Sequence, residues 1–256
     1  MALPRDPCNP ERRRRDPAER PPPPPLGGRL VMSWSGGKDS AMALHDLQRD
    51  HDYEVVGLMT TLSAEHDRVS HHGVRESLLD DQARAIGLPL HKLRWRQPDG
   101  VDEAAAMASF ELAMEQLLQE LRADGVHHVG FGDIFLERTR RYREERLADV
   151  GMRPVFPLWS CDTEALLHRF TDDGYEAVVT CAEPVAAALN GVDLSSRLLA
   201  DGWPAGVDPC GEHGEFHSFV HQGPVFRRPV PFVRGTRVVR DGRHYTDLIP
   251  IPHLTP

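Results

Sequence analysis

The stretch Leu30-Val31-Met32-Ser33-Trp34-Ser35-Gly36-Gly37-Lys38-Asp39-Ser40 decides the fold. An apolar run with strand character meets two adjacent glycines, and a helical pattern starts at once, with Ala41, Leu44 and Leu47 at three-residue spacing. Gly36 and Gly37 let the backbone turn tightly and approach a ligand closely. The N–H groups and dipole of the following helix then make an anion site. Ser35 and Ser40 add hydroxyls, and Lys38 adds a compact positive charge. The spacing is not Gly-x-x-x-x-Gly-Lys-Ser/Thr, because the glycines are adjacent and Asp39 follows the lysine. An acid inside a phosphate site is costly unless it holds a cation or a donor, so Asp39 is the candidate ligand for Mg²⁺.

Outward from this loop, strands are expected over 29–33, 54–62, 90–95 and 126–131, and helices over 38–50, 74–86, 101–123 and 136–150. Strands alternating with helices predict an α/β fold, a parallel sheet with helices on both faces. Ligands bind where loops leave the carboxyl ends of such strands, which selects the loops 34–40, 63–73 and 130–137. The second half changes character and is broken by Pro154, Pro157, Pro184, Pro204 and Pro209. A helix over 162–173, strands over 175–181 and 216–221, and a hairpin around Asp241-Gly242 predict a smaller α+β unit. The boundaries expected are 1–28 for a disordered Arg/Pro-rich tail, 29–152 for the first domain and 153–256 for the second.

The 256 residues carry a net charge of -9. Residues 1–28 hold six arginines against four acids, so the remaining body stands at 24 basic against 35 acidic, or -11. An acidic body argues against a broad nucleic-acid surface. No apolar run reaches the roughly 18 residues of a membrane helix, and the N-terminal arginines precede prolines rather than an apolar leader. A cytoplasmic protein is expected. The cysteines at 8, 161, 181 and 210 lack Cys-x-x-Cys spacing, against zinc or a redox pair.

A second constellation is Asp208-Pro209-Cys210-Gly211-Glu212-His213-Gly214-Glu215-Phe216-His217-Ser218. Two carboxylates spaced by three can bind Mg²⁺ or position an amine nucleophile. Glu215 and His217 would share one face of a strand.

Taken together, the two segments carry a resemblance. Ser35–Ser40 resembles the PP-loop of N-type ATP pyrophosphatases, and Glu212–Ser218 resembles the Glu-x-Gly-Glu-Phe/Tyr-His-Thr signature of the diphthine–ammonia ligase family. His72-Gly73-Val74, Gly132-Asp133-Ile134, Pro157-Leu158-Trp159 and Gly223-Pro224 look like further landmarks in order, and the likeness spans about residues 29–235. His213 and Ser218 depart mildly from the signature. The resemblance implies a HUP-like first domain of the adenine nucleotide alpha hydrolase type, and a substrate-binding second domain. It implies cleavage of ATP to AMP and pyrophosphate, adenylation of a carboxylate, and transfer of ammonia or a small amine.

Implied roles follow residue by residue. Ser35, Gly36, Gly37, Lys38, Asp39 and Ser40 would bind ATP, with Lys38 and Asp39 also catalytic. Asp133 would support the nucleotide or Mg²⁺, and His72 would polarise the adenylate. Glu212, Glu215 and His217 would contact the acceptor or ammonia. The acceptor is a small carboxylate, or a translation factor where the source makes diphthamide; a homodimer is compatible with this.

The helix starting at 136 packs five arginines and a tyrosine into residues 138–146, where a salt-bridged solvent face is the plain expectation. Its functional version has Arg141 reach the triphosphate. His127-His128 splits between core edge and surface, because neighbours on a strand point to opposite faces. Trp34, immediately before the loop, is expected as a core or lid residue, with packing on adenine as its functional version. Two other functions compete: a PP-loop thiolation enzyme acting on tRNA or a metabolite, with Cys210 as sulfur carrier, and an ATP-binding regulator without chemistry.

Overall fold

The computed structural model describes residues 20, 22, 25–64, 68–69, 73–196, 198 and 202–251. The first half forms β1 (Gly28–Ser33), α1 (Lys38–Arg49), β2 (Tyr53–Ser63), β3 (Arg68–Val69), α2 (Glu76–Ile86), β4 (Leu90–Trp95), α3 (Glu103–Ala123), β5 (His128–Gly130), α4 (Glu137–Asp149) and β6 (Arg153–Val155). Strands β4-β2-β1-β5-β6 pair in parallel in that order, and two-residue β3 lies antiparallel against the end of β2.

The pleat of β1 explains why both faces of this sheet are covered. Leu30 and Met32 enter a core with Leu44 and Leu47 of α1 and Leu78 and Leu79 of α2. Val31, between them, enters another core with Leu118 and Leu121 of α3 and Leu147 of α4. From β1 the chain builds outward through β2 and β4, then returns to the other side for β5 and β6. The order therefore reverses between β1 and β5, and a crevice opens at their carboxyl ends.

The second half contributes α5 (Thr163–Asp172), β7 (Glu176–Ala182), a 3₁₀ turn (Pro184–Leu189), β8 (Asp193–Leu194), β9 (Phe216–Gln222), β10 (Phe232–Arg240) and β11 (Arg243–Pro250). These strands form a separate antiparallel sheet centred on β7. Asp162 caps α5 by accepting from the Ala165 N–H at 2.8 Å. Asp241 and Gly242 take φ of 50° and 81°, the left-handed pair a two-residue hairpin needs.

Three features were hidden in the sequence. The strand Arg153–Val155 lies beyond the expected boundary at 152/153, yet it extends the first sheet by pairing with β5. Pro154 reads as a breaker, but on an edge strand its missing N–H need not interrupt a ladder. The core that holds Leu30 and Leu44 also runs unbroken into Phe170, Val178 and Phe219 of the second unit. Within the expected tail, Arg20 Nε donates to Asp149 Oδ1 at 2.8 Å.

Candidate functional site

The phosphate-type loop leaves β1 at the switch point between β1 and β5. Gly36 has φ of +81°, and a Cβ there would meet Gln82 Oε1 at 2.7 Å. Ser35 donates to the Ser40 hydroxyl at 3.2 Å and accepts from the Gly37 N–H at 3.3 Å. Ser40 donates to the Gly37 carbonyl at 2.9 Å. Gly37 is the N-cap of α1 and supplies no side-chain cap, so the helix start is left for other partners.

One such partner comes from the second sheet. The Lys38 N–H donates to Ser218 Oγ of β9 at 3.2 Å, and the Val220 N–H donates to the Gly36 carbonyl at 2.9 Å. Lys38 is 2% exposed. Its ammonium donates to both Asp39 oxygens, at 2.8 and 2.9 Å, and to the Cys210 carbonyl, and it lies 5.4 Å from the Phe216 ring centroid. Burial alone would lower its pKa, but the charge of Asp39, with Cys210 and Glu212 behind it, outweighs burial and raises it. Asp39 is pushed up by desolvation and by the carboxylates of Asp208 and Asp133, against the pull of Lys38.

The segment 208–215 is a closed loop organised by Asp208. Asp208 Oδ1 accepts from the N–H groups of Cys210 and Glu212 at 2.9 and 3.1 Å, and Oδ2 accepts from the Thr163 hydroxyl at 2.8 Å. The Asp208 N–H in turn donates to Glu215 Oε1 at 3.0 Å. Glu212 crosses to the segment after β5, where Oε1 accepts from the N–H groups of Ile134 and Phe135 at 2.9 and 3.3 Å. Burial raises the Glu212 pKa, and these two bonds hold the rise back. Glu215 is 8% exposed, and its Oε2 has no hydrogen-bond partner among the described residues.

Gly132, between β5 and Asp133, packs so closely on the start of α1 that a Cβ would sit 2.8 Å from the Asp39 carbonyl carbon. Asp133 pairs with Arg143 of α4, with Nη2–Oδ1 at 3.1 Å and Nε–Oδ2 at 2.9 Å. The Arg143 guanidinium lies 4.1 Å from the Phe131 ring centroid. Beside this pair opens a cavity of about 270 Å³, bounded by Trp34 and Ser35, Met59–Thr61 of β2, Phe110 and Met114 of α3, Phe131, and Tyr142, Arg143 and Arg146 of α4. It is largely apolar, with Ser33, Ser35, Thr60, Thr61, Tyr142, Arg143 and Arg146 as its polar lining.

The structure places the other expected residues as follows. Arg141 is exposed and does not line the cavity; Arg143 does. Positions two apart on a helix lie about 200° around its axis, so the two arginines cannot serve the same side. His217 is not brought to Lys38. Phe216 and Ser218 meet Lys38, and strand alternation turns His217 to the opposite face, opposite Cys181 of β7. His72 lies outside the described residues. Trp34 is 1% exposed and is a core residue. Gln82 and Ser218 were missed. A glutamine amid the apolar positions Leu78, Leu79, Ala83 and Ile86 was the available signal for the first.

Burial pushes the Cys210 thiol up to about 12, and desolvation raises the Cys181 thiol too. Among the described residues no three His, Cys, Asp or Glu side chains cluster as metal ligands, and no helix is long and apolar enough to cross a membrane.

The comparisons with known proteins converge on one family. A family model of the diphthamide synthase N-terminal domain matches residues 28–154. The chain is similar to the diphthine–ammonia ligase of Danio rerio, 26% identical over 227 residues that cover 79% of this chain and 85% of the relative. It is similar to the Bos taurus enzyme of the same name at 24% over 225 residues, and to the Homo sapiens one at 23%, each covering 79% of this chain and 82% of the relative. The matched segment begins at β1 and ends within β6, so it takes in the whole parallel sheet and the loop Ser35–Ser40. Residues 28–154 thus match the diphthamide synthase N-terminal domain, and over 79% of its length, with both signature segments meeting at Lys38, the chain is similar to diphthine–ammonia ligases.

Proposed function

We propose that this chain is an ATP-dependent carbon–nitrogen ligase. In the first step a carboxylate oxygen attacks the α-phosphorus of ATP and pyrophosphate leaves. In the second, ammonia attacks the acyl carbon and AMP leaves. The observation that carries this reading is the double hold of the 208–218 segment on the phosphate loop: Lys38 Nζ on the Cys210 carbonyl and Lys38 N–H on Ser218. An acceptor held by the 208–215 loop is thereby held against the nucleotide.

The nucleoside would occupy the cavity between α3 and α4, with the phosphates over Ser35–Ser40. Lys38, kept protonated by its surroundings, would follow the charge developing on the leaving pyrophosphate. Glu215, buried with Oε2 unpartnered among the described residues, would take the proton that ammonia gives up on attack. Glu212 would hold the loop to the backbone of Ile134 and Phe135.

Mg²⁺ fits this site as a phosphate-bound ion. Asp39, Asp133, Asp208 and Glu212 crowd negative charge near the loop, but no protein cage is available among the described residues. Asp39 would hold the ion, and the chemistry the ion would supply is neutralisation of phosphate charge. The acceptor by class is a carboxylate, either small or carried on a translation factor as the relatives' name implies. Sulfur transfer through Cys210 is disfavoured by a thiol that stays protonated near neutral pH.

The test is incubation with ATP, Mg²⁺ and ammonium, with and without a deproteinised extract of the source, read by nucleotide chromatography against Lys38→Ala. AMP and pyrophosphate, lost in the variant, are expected. ADP and phosphate would sink the adenylation step.

A further inference from the structure

Gln82 of α2 is fully buried, and all of its amide is in use. Oε1 accepts from the Trp34 indole N–H at 2.9 Å, while Nε2 donates to the Gly36 carbonyl at 3.0 Å and to the Val220 carbonyl at 2.6 Å. Gly36 and Val220 belong to different sheet systems; without Gln82 the Gly36 carbonyl would keep only the Val220 N–H, and the Val220 carbonyl would lose its side-chain donor. A neutral group with two N–H donors and one acceptor is what the space requires, and only an amide side chain offers it.

The consequence lies in the Gly36–Gly37 peptide. In a trans peptide the carbonyl and the following N–H point to opposite sides of the chain. Holding the Gly36 carbonyl toward Gln82 and Val220 therefore turns the Gly37 N–H the other way, into the loop, where it meets Ser35 Oγ at 3.3 Å. Two adjacent glycines impose almost no steric barrier to the reversed orientation. Reversed, the loop would offer phosphate an oxygen in place of a donor.

We infer that Gln82 is a positioning residue that locks the Gly36–Gly37 peptide in its phosphate-accepting orientation and ties that orientation to β9 of the second sheet. The inference deepens the ATP-binding reading above and rests on it. Gln82 touches no substrate; it acts through the loop.

The test is ATP affinity by calorimetry on the full chain for wild type, Gln82→Glu and Gln82→Leu, at pH 6 and pH 8.5, with melting curves alongside. An ionised glutamate sets a negative oxygen against two carbonyls and favours the reversed peptide. Protonated, it regains one donor. Gln82→Glu is expected to lose affinity on the order of 10²-fold at pH 8.5. It should recover a large part at pH 6, with wild type as the reference for the titration of ATP itself. Gln82→Leu should be weak at both. Wild-type affinity in Gln82→Glu at pH 8.5 would overturn the inference. So would equal weakening of both variants at both pH values in step with lowered melting temperature, which is what a purely structural role gives. A wild type that binds ATP but releases no AMP overturns the ligase reading alone.

Discussion

The Lys38 backbone N–H donates to the Ser218 hydroxyl at 3.2 Å, joining residues 180 positions apart. Lys38 opens the helix after the phosphate loop, and Ser218 sits in the strand that follows the Glu/His segment. One orphan donor of a helix N-terminus is thus satisfied by the second sheet rather than by a local cap. Removing the hydroxyl in Ser218→Ala loses a hydrogen bond worth about 0.5–1.5 kcal/mol. If the bond also sets the loop, KM for ATP should rise about two- to tenfold with a modest drop in melting temperature, while Ser218→Thr keeps both near wild type. An Ala variant with unchanged KM would make the contact purely structural.

Gly36→Ala should be damaging twice over. The backbone sits at φ +81°, where an L side chain costs about 1–2 kcal/mol. The new Cβ would also meet Gln82 Oε1 at 2.7 Å and Leu79 Cδ2 at 2.8 Å, both in a packed interior. Lower melting temperature with loss of ATP binding is expected, measured by thermal denaturation and calorimetry.

Arg143 and Arg141 are a matched pair for testing whether the cavity between α3 and α4 takes the nucleotide. Arg143→Ala removes a charged partner of Asp133 and part of the cavity wall. With hydrogen bonds to charged groups worth about 1.5–3 kcal/mol, more than a tenfold rise in KM for ATP is expected. Arg141→Ala, at an exposed position, should stay within about 0.5 kcal/mol of wild type in stability and leave KM unchanged. Equal effects in steady-state kinetics would place the nucleotide elsewhere.

Glu212 should show opposed effects on stability and turnover. Its folded pKa is raised by burial. A raised carboxyl binds more protons folded than unfolded, so stability falls as pH rises from the unfolded pKa through the folded one, and the penalty is complete above both. Glu212→Gln can keep an oxygen for the N–H groups of Ile134 and Phe135 while removing the desolvated charge. The variant should melt at or above wild type at pH 8, with the gap closing toward pH 4, yet turn over more slowly. A variant less stable than wild type at pH 8 would contradict this account.

Cys210→Ala separates ligation from sulfur transfer. The thiol donates to the Thr163 carbonyl at 3.4 Å and is pushed up to about 12. Turnover to AMP should persist in the variant; its abolition would favour the thiolation chemistry.

The local elements were legible from residue order alone. Leu90–Trp95 was expected as a strand and is one, and the strand–Gly-Gly–helix passage at 30–40 was legible because turn chemistry and periodicity act over a few residues. Asp241-Gly242 was legible for the same reason, since the left-handed pair of angles is a local demand. Only the tertiary structure decided which side chains meet. His217 and Ser218 are neighbours in the signature, but a period of two turns one toward Lys38 and the other away, and the register of β9 on β7 settles which. Arg143 rather than Arg141 borders the cavity because the roll of α4 is fixed by the burial of Leu147 against the far side of the sheet. Gln82 reads as one polar residue on an apolar helix face, and its use depends on two carbonyls brought together from positions 46 and 138 residues away. Local propensity can specify an element, but hydrogen bonds between elements are fixed only when packing sets their rotation and register.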